Sequence, residues 1–548
     1  MKKRTLLVVA CMLLALVLVT ACRNGDDAPT TNNATTDSGA ATAATTDSNA
    51  ANNADTAANF DEPATTVSIW FMGGNAQNDD AAVVEAANAR LRELGLNIEV
   101  RPIWTGGWGM GEPAQLALDT GDTSVDILWT ATWGLNYFNN ARVGNFIRLD
   151  DPSNNLLERY GRDMMAAVPS YLWDAFRTEG PAGFGLYGVP GPKDYAALFT
   201  LDVNNTRLAE LGFDFDELFD MNGTNYNFIF DPRLDEILQA SKDMWGDNFF
   251  PLNLEAGNFV QHFSNVDGDL TGLNLFHFGF DPNNPALPVD PVVGLNIEDE
   301  LFLRVLDRVR HFWEMGFIDP RLAIPTEAGI VIGEASQAGE YLFSTGQYAY
   351  GHTATVQAQR GIDSRFVPIS RPIISTMSAA GSGFGVSVYS RNQAAAVQFL
   401  NAWYTDNELA VILSEGVEGI HWNFDEDGLI ALDDDARASY STWRFGMGNI
   451  FILTPRNTDG HGYFERFRAY NAAGTPTSTM GFIFNNEAVT MEMAALTGVV
   501  EQWRQSLTVG ALDPAVAVPA FHADLIANGI ERVAEELNRQ LQAFYAAR

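Results

Sequence analysis

The stretch GDTSVDILWTATWGLNYFNN, residues 121–140, concentrates side chains suited to holding a small molecule. Trp129, Trp133 and Tyr137 recur at four-residue spacing beside small and amide residues. Core packing accounts for any one such ring. A set of rings lining a cleft has a different use, because the rings can stack on something held there. Pockets for small molecules are mostly apolar with a few polar anchors.

The elements around these residues place them. TVSIWFM is a β-branched and aromatic run fit for a buried strand. DDAAVVEAANARLRELG follows as a helix, opened by Asp79 or Asp80 and stopped by Gly95. LNIEVRPIW is a second strand, EPAQLALDTGD a short helix and VDILWT a third strand. Strand–helix–strand–helix–strand at this spacing predicts a parallel sheet with right-handed crossovers. Ligands of open α/β sheets sit at the carboxyl ends of the strands. Trp70 ends the first strand, Trp104 and Trp108 follow the second, and Trp129 and Trp133 the third. Aromatic residues after three successive strands predict a cleft floor rather than three separate packing events.

Further along, GLYGVPGPKDYAALFTLDVNNTRLAELGFD predicts a short strand, a Pro/Gly turn, a strand and a helix, as at a crossing between lobes. IEDELFLRVLDRVRHFWEMG is a helix closed by Gly316, and the last 60 residues are mostly helical.

A chain of 548 residues is too long for one hydrophobic core. Its 69 carboxylates against 33 basic side chains, a net charge of −36, exclude nucleic acid, whose phosphates require Lys and Arg. The same charge disfavours a polyanionic ligand and suits a neutral or cationic one. MKKRTLLVVACMLLALVLVTAC has a basic start, an apolar run and small residues, as in an export signal. Its ending, Val19-Thr20-Ala21-Cys22, resembles a bacterial lipobox, which implies a diacylated Cys22 as mature N-terminus. Two acyl chains suffice for stable anchoring. The other cysteine, Cys11, lies inside the signal, so the mature chain is expected to hold no disulfide or Cys metal site. Residues 22–64 are Thr/Asn/Ala-rich and almost devoid of large apolar side chains, which predicts a tether spanning roughly 35 Å.

Together these segments resemble a family 1 extracellular solute-binding protein of an ABC importer, in the branch of large sugar-binding lipoproteins with an extra C-terminal helical domain. TGDTSVDILWTATWGLNYFNNA is similar to the family's SGDxxDIxxTAxWGxNYxxNA, and YGVPGPKDYA to its crossing point YAIPxxKDYA. FLNAWYTDNEL, EGVEGIHW, STWRFGMGNIF and the final GALDPAVAVPAFHADLIANGIERVAEELNRQLQAF carry the likeness further. One departure is WTGGWGMG, where such proteins often have a compact W-x-D-Y turn. The resemblance implies a two-lobed, periplasmic-binding-protein-like (type II) α/β fold with hinge-crossing strands and a C-terminal helical extension. The expected division is residues 1–21 as lipoprotein signal, 66–195 plus 335–372 as first lobe, 196–334 plus 373–480 as second lobe, and 481–548 as the helical domain.

The resemblance also implies a monomeric receptor on the outer face of the cell membrane, held by its lipid anchor. It would deliver a saccharide, an oligosaccharide by preference, to permease subunits without a cofactor. Trp70, Trp104, Trp133 and Tyr137 would contact ligand from the first lobe, Lys193, Asp194 and Tyr195 from the crossing, and Glu418, Trp422, Trp443 and Arg444 from the second lobe. His421, beside Trp422, is the histidine placed nearest a ligand. A peptide or other small solute remains an alternative cargo, and a surface-anchored carbohydrate-active enzyme an alternative class. The sequence lacks HExxH, GxSxG and P-loop signatures. Asn423–Asp434 has the oxygen spacing of a calcium loop, but its strand-like flanks favour a hairpin turning on Asp427-Gly428.

Overall fold

The computed structural model describes residues 59–74, 77–197, 199–221, 223–254, 260, 271, 273, 275–281, 284–347, 361–369, 371–433 and 435–547. The expected signal, Cys22 and most of the tether lie outside these residues. Among the described residues, no helix is long and apolar enough to cross a membrane.

The chain opens with β1 (Thr65–Trp70), α1 (Asp80–Glu93), β2 (Ile98–Ile103), α2 (Gly111–Asp119), β3 (Ile127–Thr130), α3 (Tyr137–Val143) and β4 (Val189–Pro190). It continues through β5 (Phe199–Asn204), β6 (Leu252–Asn253), α4 (Glu300–Glu314), β7 (Phe343–Gln347) and β8 (Ser364–Pro368). Then come β9 (Ile373–Ile374), α5 (Thr376–Ala379), β10 (Gly383–Val386), α6 (Gln393–Thr405), α7 (Asn407–Glu415), the hairpin β11 (Trp422–Phe424) and β12 (Ile430–Leu432), α8 (Tyr463–Ala472) and β13 (Thr475–Pro476). Three helices end the chain: α9 (Thr490–Thr508), α10 (Pro514–Ala527) and α11 (Ile530–Ala546).

The first sheet has the order β2–β1–β3–β10–β4. The pairs β1–β2 and β1–β3 are parallel, as the alternation of strands and helices predicts. Covered on both faces, the last four residues of β1 are all buried, whereas the edge strand β2 alternates and tolerates Pro102. Asp79 occupies the N-cap position of α1 without a side-chain cap, and Gly95, at φ +78°, follows its C-terminus in the left-handed region expected of a helix stop. The second sheet, β8–β5–β7–β6, has its own core, so the fold is two-lobed α/β.

The lobe boundaries differ from the expected ones. β10 enters the first sheet antiparallel between β3 and β4, pairing Gly383 with Thr130 and with Pro190. Among the described residues, the core side chains between Ile374 and Phe467 pack into the first core, and those between Leu201 and Ile369 into the second. The described residues of segments 335–372 and 373–480 exchange lobes relative to the sequence reading. The cause is a four-residue strand, GFGV, that returns the chain to the first sheet instead of extending the second. The C-terminal helices are not a separate body: Leu496, Val500, Phe521, Leu525, Leu537 and Leu541 share the second core. The chain thus crosses between the lobes near residues 197, 371 and 478.

Candidate functional site

The carboxyl ends of β1, β2 and β3, the amino end of antiparallel β10 and the carboxyl end of β4 all lie on one edge of the first sheet. Four tryptophans meet there. Trp129, fully buried at the end of β3, donates from Nε1 to Ser382 Oγ at 3.0 Å and forms the floor. Trp133 packs edge-on against it at 5.0 Å, and Trp443 lies 6.0 Å from Trp129 and 5.8 Å from Trp133. Trp108 joins from the loop after β2, 5.1 Å from Trp443. Trp108 and Trp133 remain 60% and 51% exposed, which is costly for rings of this size.

Local backbone chemistry presents the two exposed rings. The turn after β3 closes on itself: Ala131 N donates to Gly134 O at 2.9 Å, Tyr137 N to Ala131 O at 3.0 Å, and Thr130 Oγ1 to Leu135 O. Leu135 sits at φ +38°, the one non-glycine residue in the left-handed region among those described. Such strain persists only where the surroundings impose it. It leaves Trp133 at the apex, with Nε1 held by Gly381 O at 2.8 Å. Glycine at position 73 is required twice over. Its φ is +78°, and a Cβ there would lie 3.0 Å from Trp443 Cβ and 3.4 Å from the Trp108 ring.

Lys193 and Asp194, on the loop leaving β4, form a largely covered ion pair at 2.6 Å. A Cβ on Gly381 would lie 3.8 Å from Lys193 Nζ, so the pair borders the carbonyl that holds Trp133. The structure thus brings together four of the residues named from sequence: Trp133, Trp443, Lys193 and Asp194. It adds Trp129 and Trp108, whose strand-end positions were legible. The WTGGWGMG loop departs from the family turn yet still delivers an exposed ring.

The other named residues are placed elsewhere. Trp70 is buried, its Nε1 donating to Thr105 O at 3.0 Å. Trp104 stacks on Phe71 at 4.6 Å and donates to Asp80 Oδ1 at 2.8 Å. Burial raises the pKa of Asp80, opposed in part by that hydrogen bond. Tyr137 is fully buried and donates to Phe176 O at 2.6 Å; burial pushes its phenol pKa well up. Four-residue spacing turned Tyr137 inward because it begins α3, whose buried face packs on Phe146 and Phe176.

Tyr195 is buried against Tyr171, and its backbone N donates to Asn471 Oδ1 at 3.2 Å. Trp422 is buried, donating to Gly416 O, and His421 is buried with Nδ1 accepting from Val417 N. Arg444 is buried in an ion pair with Asp459 at 2.7 Å. Glu418 is exposed on the turn before β11. Glu418, Trp422, Trp443 and Arg444, expected on the second lobe, all follow β10 into the first. The described part of the Asn423–Asp434 segment forms the β11–β12 hairpin, where Asp425 Oδ1 accepts from the N–H groups of Asp427 and Leu429; Asp434 is outside the described residues. Among the described residues no three His, Cys, Asp or Glu side chains group to hold a metal.

The second lobe holds a cavity of about 470 Å³ lined by Arg207, Trp245, Phe249, Asp319, Arg321 and Glu334. There Arg207 already covers Trp245 at 4.9 Å, and Arg321 pairs with Asp319 at 2.6 Å. The bare indoles of the first lobe are the stronger candidate for a ligand with an apolar face.

Residues 478–546 match a family described as a domain of unknown function, DUF3502. A carbohydrate ABC transporter substrate-binding protein of Streptococcus pneumoniae serotype 4 (strain ATCC BAA-334 / TIGR4) is 22% identical over 491 residues, covering 87% of this chain and 90% of that protein. The crystal structure of the N-glycan transport solute binding protein NgtS from Streptococcus pneumoniae superposes with a TM-score of 0.70 at 19% identity, over 88% of this chain and 99% of that one. The same protein in complex with Man5GlcNAc superposes with a TM-score of 0.64 at 20% identity, over the same shares of both chains. The alginate-binding protein AlgQ2 without calcium ion gives 0.56 at 15% identity, over 88% of this chain and 98% of that one. The fold is that of these solute-binding proteins.

Proposed function

We propose that this chain, built on the solute-binding fold, is the lipid-anchored extracytoplasmic receptor of an ABC importer and binds a saccharide, an oligosaccharide by preference. The observation that carries this reading is the pair of exposed indoles, Trp108 and Trp133, on a floor of Trp129 and Trp443 at the ligand-binding edge of the first sheet. Rings of this kind stack on pyranose C–H faces, and the adjoining Lys193–Asp194 pair offers a donor and an acceptor to hydroxyls. A net charge of −36 favours a neutral glycan. The similar transporter component is named for carbohydrate, and NgtS was solved with Man5GlcNAc, which supports the same class of cargo.

A thermal-shift screen of the full chain in detergent against neutral oligosaccharides, acidic oligosaccharides and peptides tests the proposal. A true ligand at 100 times its Kd adds about 2.7 kcal/mol. A shift with neutral oligosaccharides and no turnover is expected. A shift with peptides alone, or cleavage of the sugar, would replace the reading with a peptide receptor or an enzyme.

The anchor has its own test. Cys22→Ser is expected to abolish fatty-acid incorporation and either release the chain from the membrane fraction or leave an unprocessed precursor. Continued labelling of the variant by radiolabelled palmitate would place the acyl group elsewhere.

A further inference from the structure

The segment 475–485 is the third crossing between the lobes, and both lobes hold it. On the first-lobe side, β13 pairs in parallel with β9, and Thr477 N donates to Ile374 O at 2.9 Å. Thr376, which begins α5, donates from Oγ1 to Thr479 O at 3.3 Å and accepts from Gly481 N at 2.8 Å. On the other side stands α11, the last helix of the domain matching DUF3502. Tyr545 OH meets Ser478 Oγ at 3.3 Å, Phe544 packs edge-on against Phe482 at 5.5 Å, and Gln540 exchanges two hydrogen bonds with the backbone of Asn485, at 2.9 and 2.7 Å.

The domain is itself fixed to the second lobe. Arg310 of α4 donates to Gly510 O and Ala511 O at 3.0 and 3.1 Å, and Gln505 of α9 donates to Leu322 O. The charge of Glu487, at the start of the domain's helices, also acts on Arg142 of the first lobe. Arg142 of α3 is half-buried, and burial lowers its basicity while the carboxylate of Glu487 partly restores it.

The contacts continue to the tryptophan site. The carbonyls that end α5 hold the turn after β3: Met377 O accepts from Thr132 Oγ1 at 3.1 Å, Ala380 O from Thr132 N at 3.1 Å, and Gly381 O from Trp133 Nε1 at 2.8 Å.

We propose that the DUF3502-matching domain is a hinge brace: its helices complete the second-lobe core, and the end of α11 clamps the third crossing against Thr376 of the first lobe. Hinge motion requires a few crossing residues to change φ and ψ. A crossing gripped on both flanks resists that change, so the domain sets the angle at which the lobes rest. Through α5 it also sets the position of Trp133; only this last consequence rests on the reading of the tryptophan cluster as the ligand site.

Hydrogen exchange by mass spectrometry on the full chain, without ligand, tests the brace and is independent of cargo. In Phe544→Ala/Tyr545→Ala, the amides of Thr477, Gly481 and Asn485 are expected to exchange about tenfold faster, with β1 and β5 unchanged. Thr376→Val, which keeps side-chain shape but removes the hydroxyl, should produce the same local pattern from the opposite flank. It decides the matter if the double variant fails to fold. Unchanged exchange across 475–485 in the folded variants would overturn the proposal. So would equal loss of protection in β5 and α9, which would make α11 a core helix only.

Discussion

Alanine at Trp133 is expected to weaken saccharide binding by about 30-fold, or about 2 kcal/mol, while leaving unfolding near that of the unsubstituted chain. The indole is half exposed, so truncation removes little buried area, and the floor under it, Trp129, keeps its own hydrogen bond to Ser382. A fully buried Trp replaced by Ala would instead cost about 3–5 kcal/mol of stability. Trp108→Ala is expected to behave likewise from the other side of Trp443, and the double variant to fall further than either single one. Titration calorimetry with a glycan found by the screen, beside urea unfolding of each variant, separates the two roles. A large fall in stability with affinity intact would return Trp133 to the core and take the site with it.

Arg444→Ala is expected to do the reverse, costing about 3–5 kcal/mol of stability because it strands a buried carboxylate. Arg444 pairs with Asp459 through two contacts, at 2.7 and 3.3 Å, and lies over the Tyr463 ring at 5.4 Å. Burial works against its charge, but Asp459 outweighs that penalty and holds the guanidinium protonated well above its usual range. Nine of the 12 tryptophans lie outside 200–369 and 482–547, so tryptophan fluorescence during urea unfolding follows the first lobe. Replacing both partners, Arg444→Met with Asp459→Leu, is expected to recover much of the loss, because no charge is then left unpaired. A stable single variant that has lost ligand affinity more than tenfold would make Arg444 a ligand contact after all.

The local half of the site was legible because local rules govern it. A strand that ends in Trp, followed by glycines or a tight turn, puts a ring at the carboxyl edge of a parallel sheet, and β1, β2 and β3 fall where their apolar runs predict. Which rings stay bare was not legible. Trp70 ends β1, Trp104 follows β2 and Trp133 lies in the turn after β3; the first two are buried, while a strained turn at Leu135 leaves the third half exposed.

The sequence by itself determined the parallel start of the first sheet, the tryptophan-rich edge and the helical end, because each depends on periodicity and turn chemistry within about 20 residues, whereas the two-lobed plan came from the family resemblance. Only the tertiary structure decided which lobe each returning segment joins. That choice rests on the pairing of β10 with β3, residues more than 250 positions apart, and a four-residue run such as GFGV pairs equally well in either sheet by local preference. The same long-range pairing carried Trp443 onto the edge beside Trp133 and Arg444 inward to Asp459, although the two are neighbours in the chain.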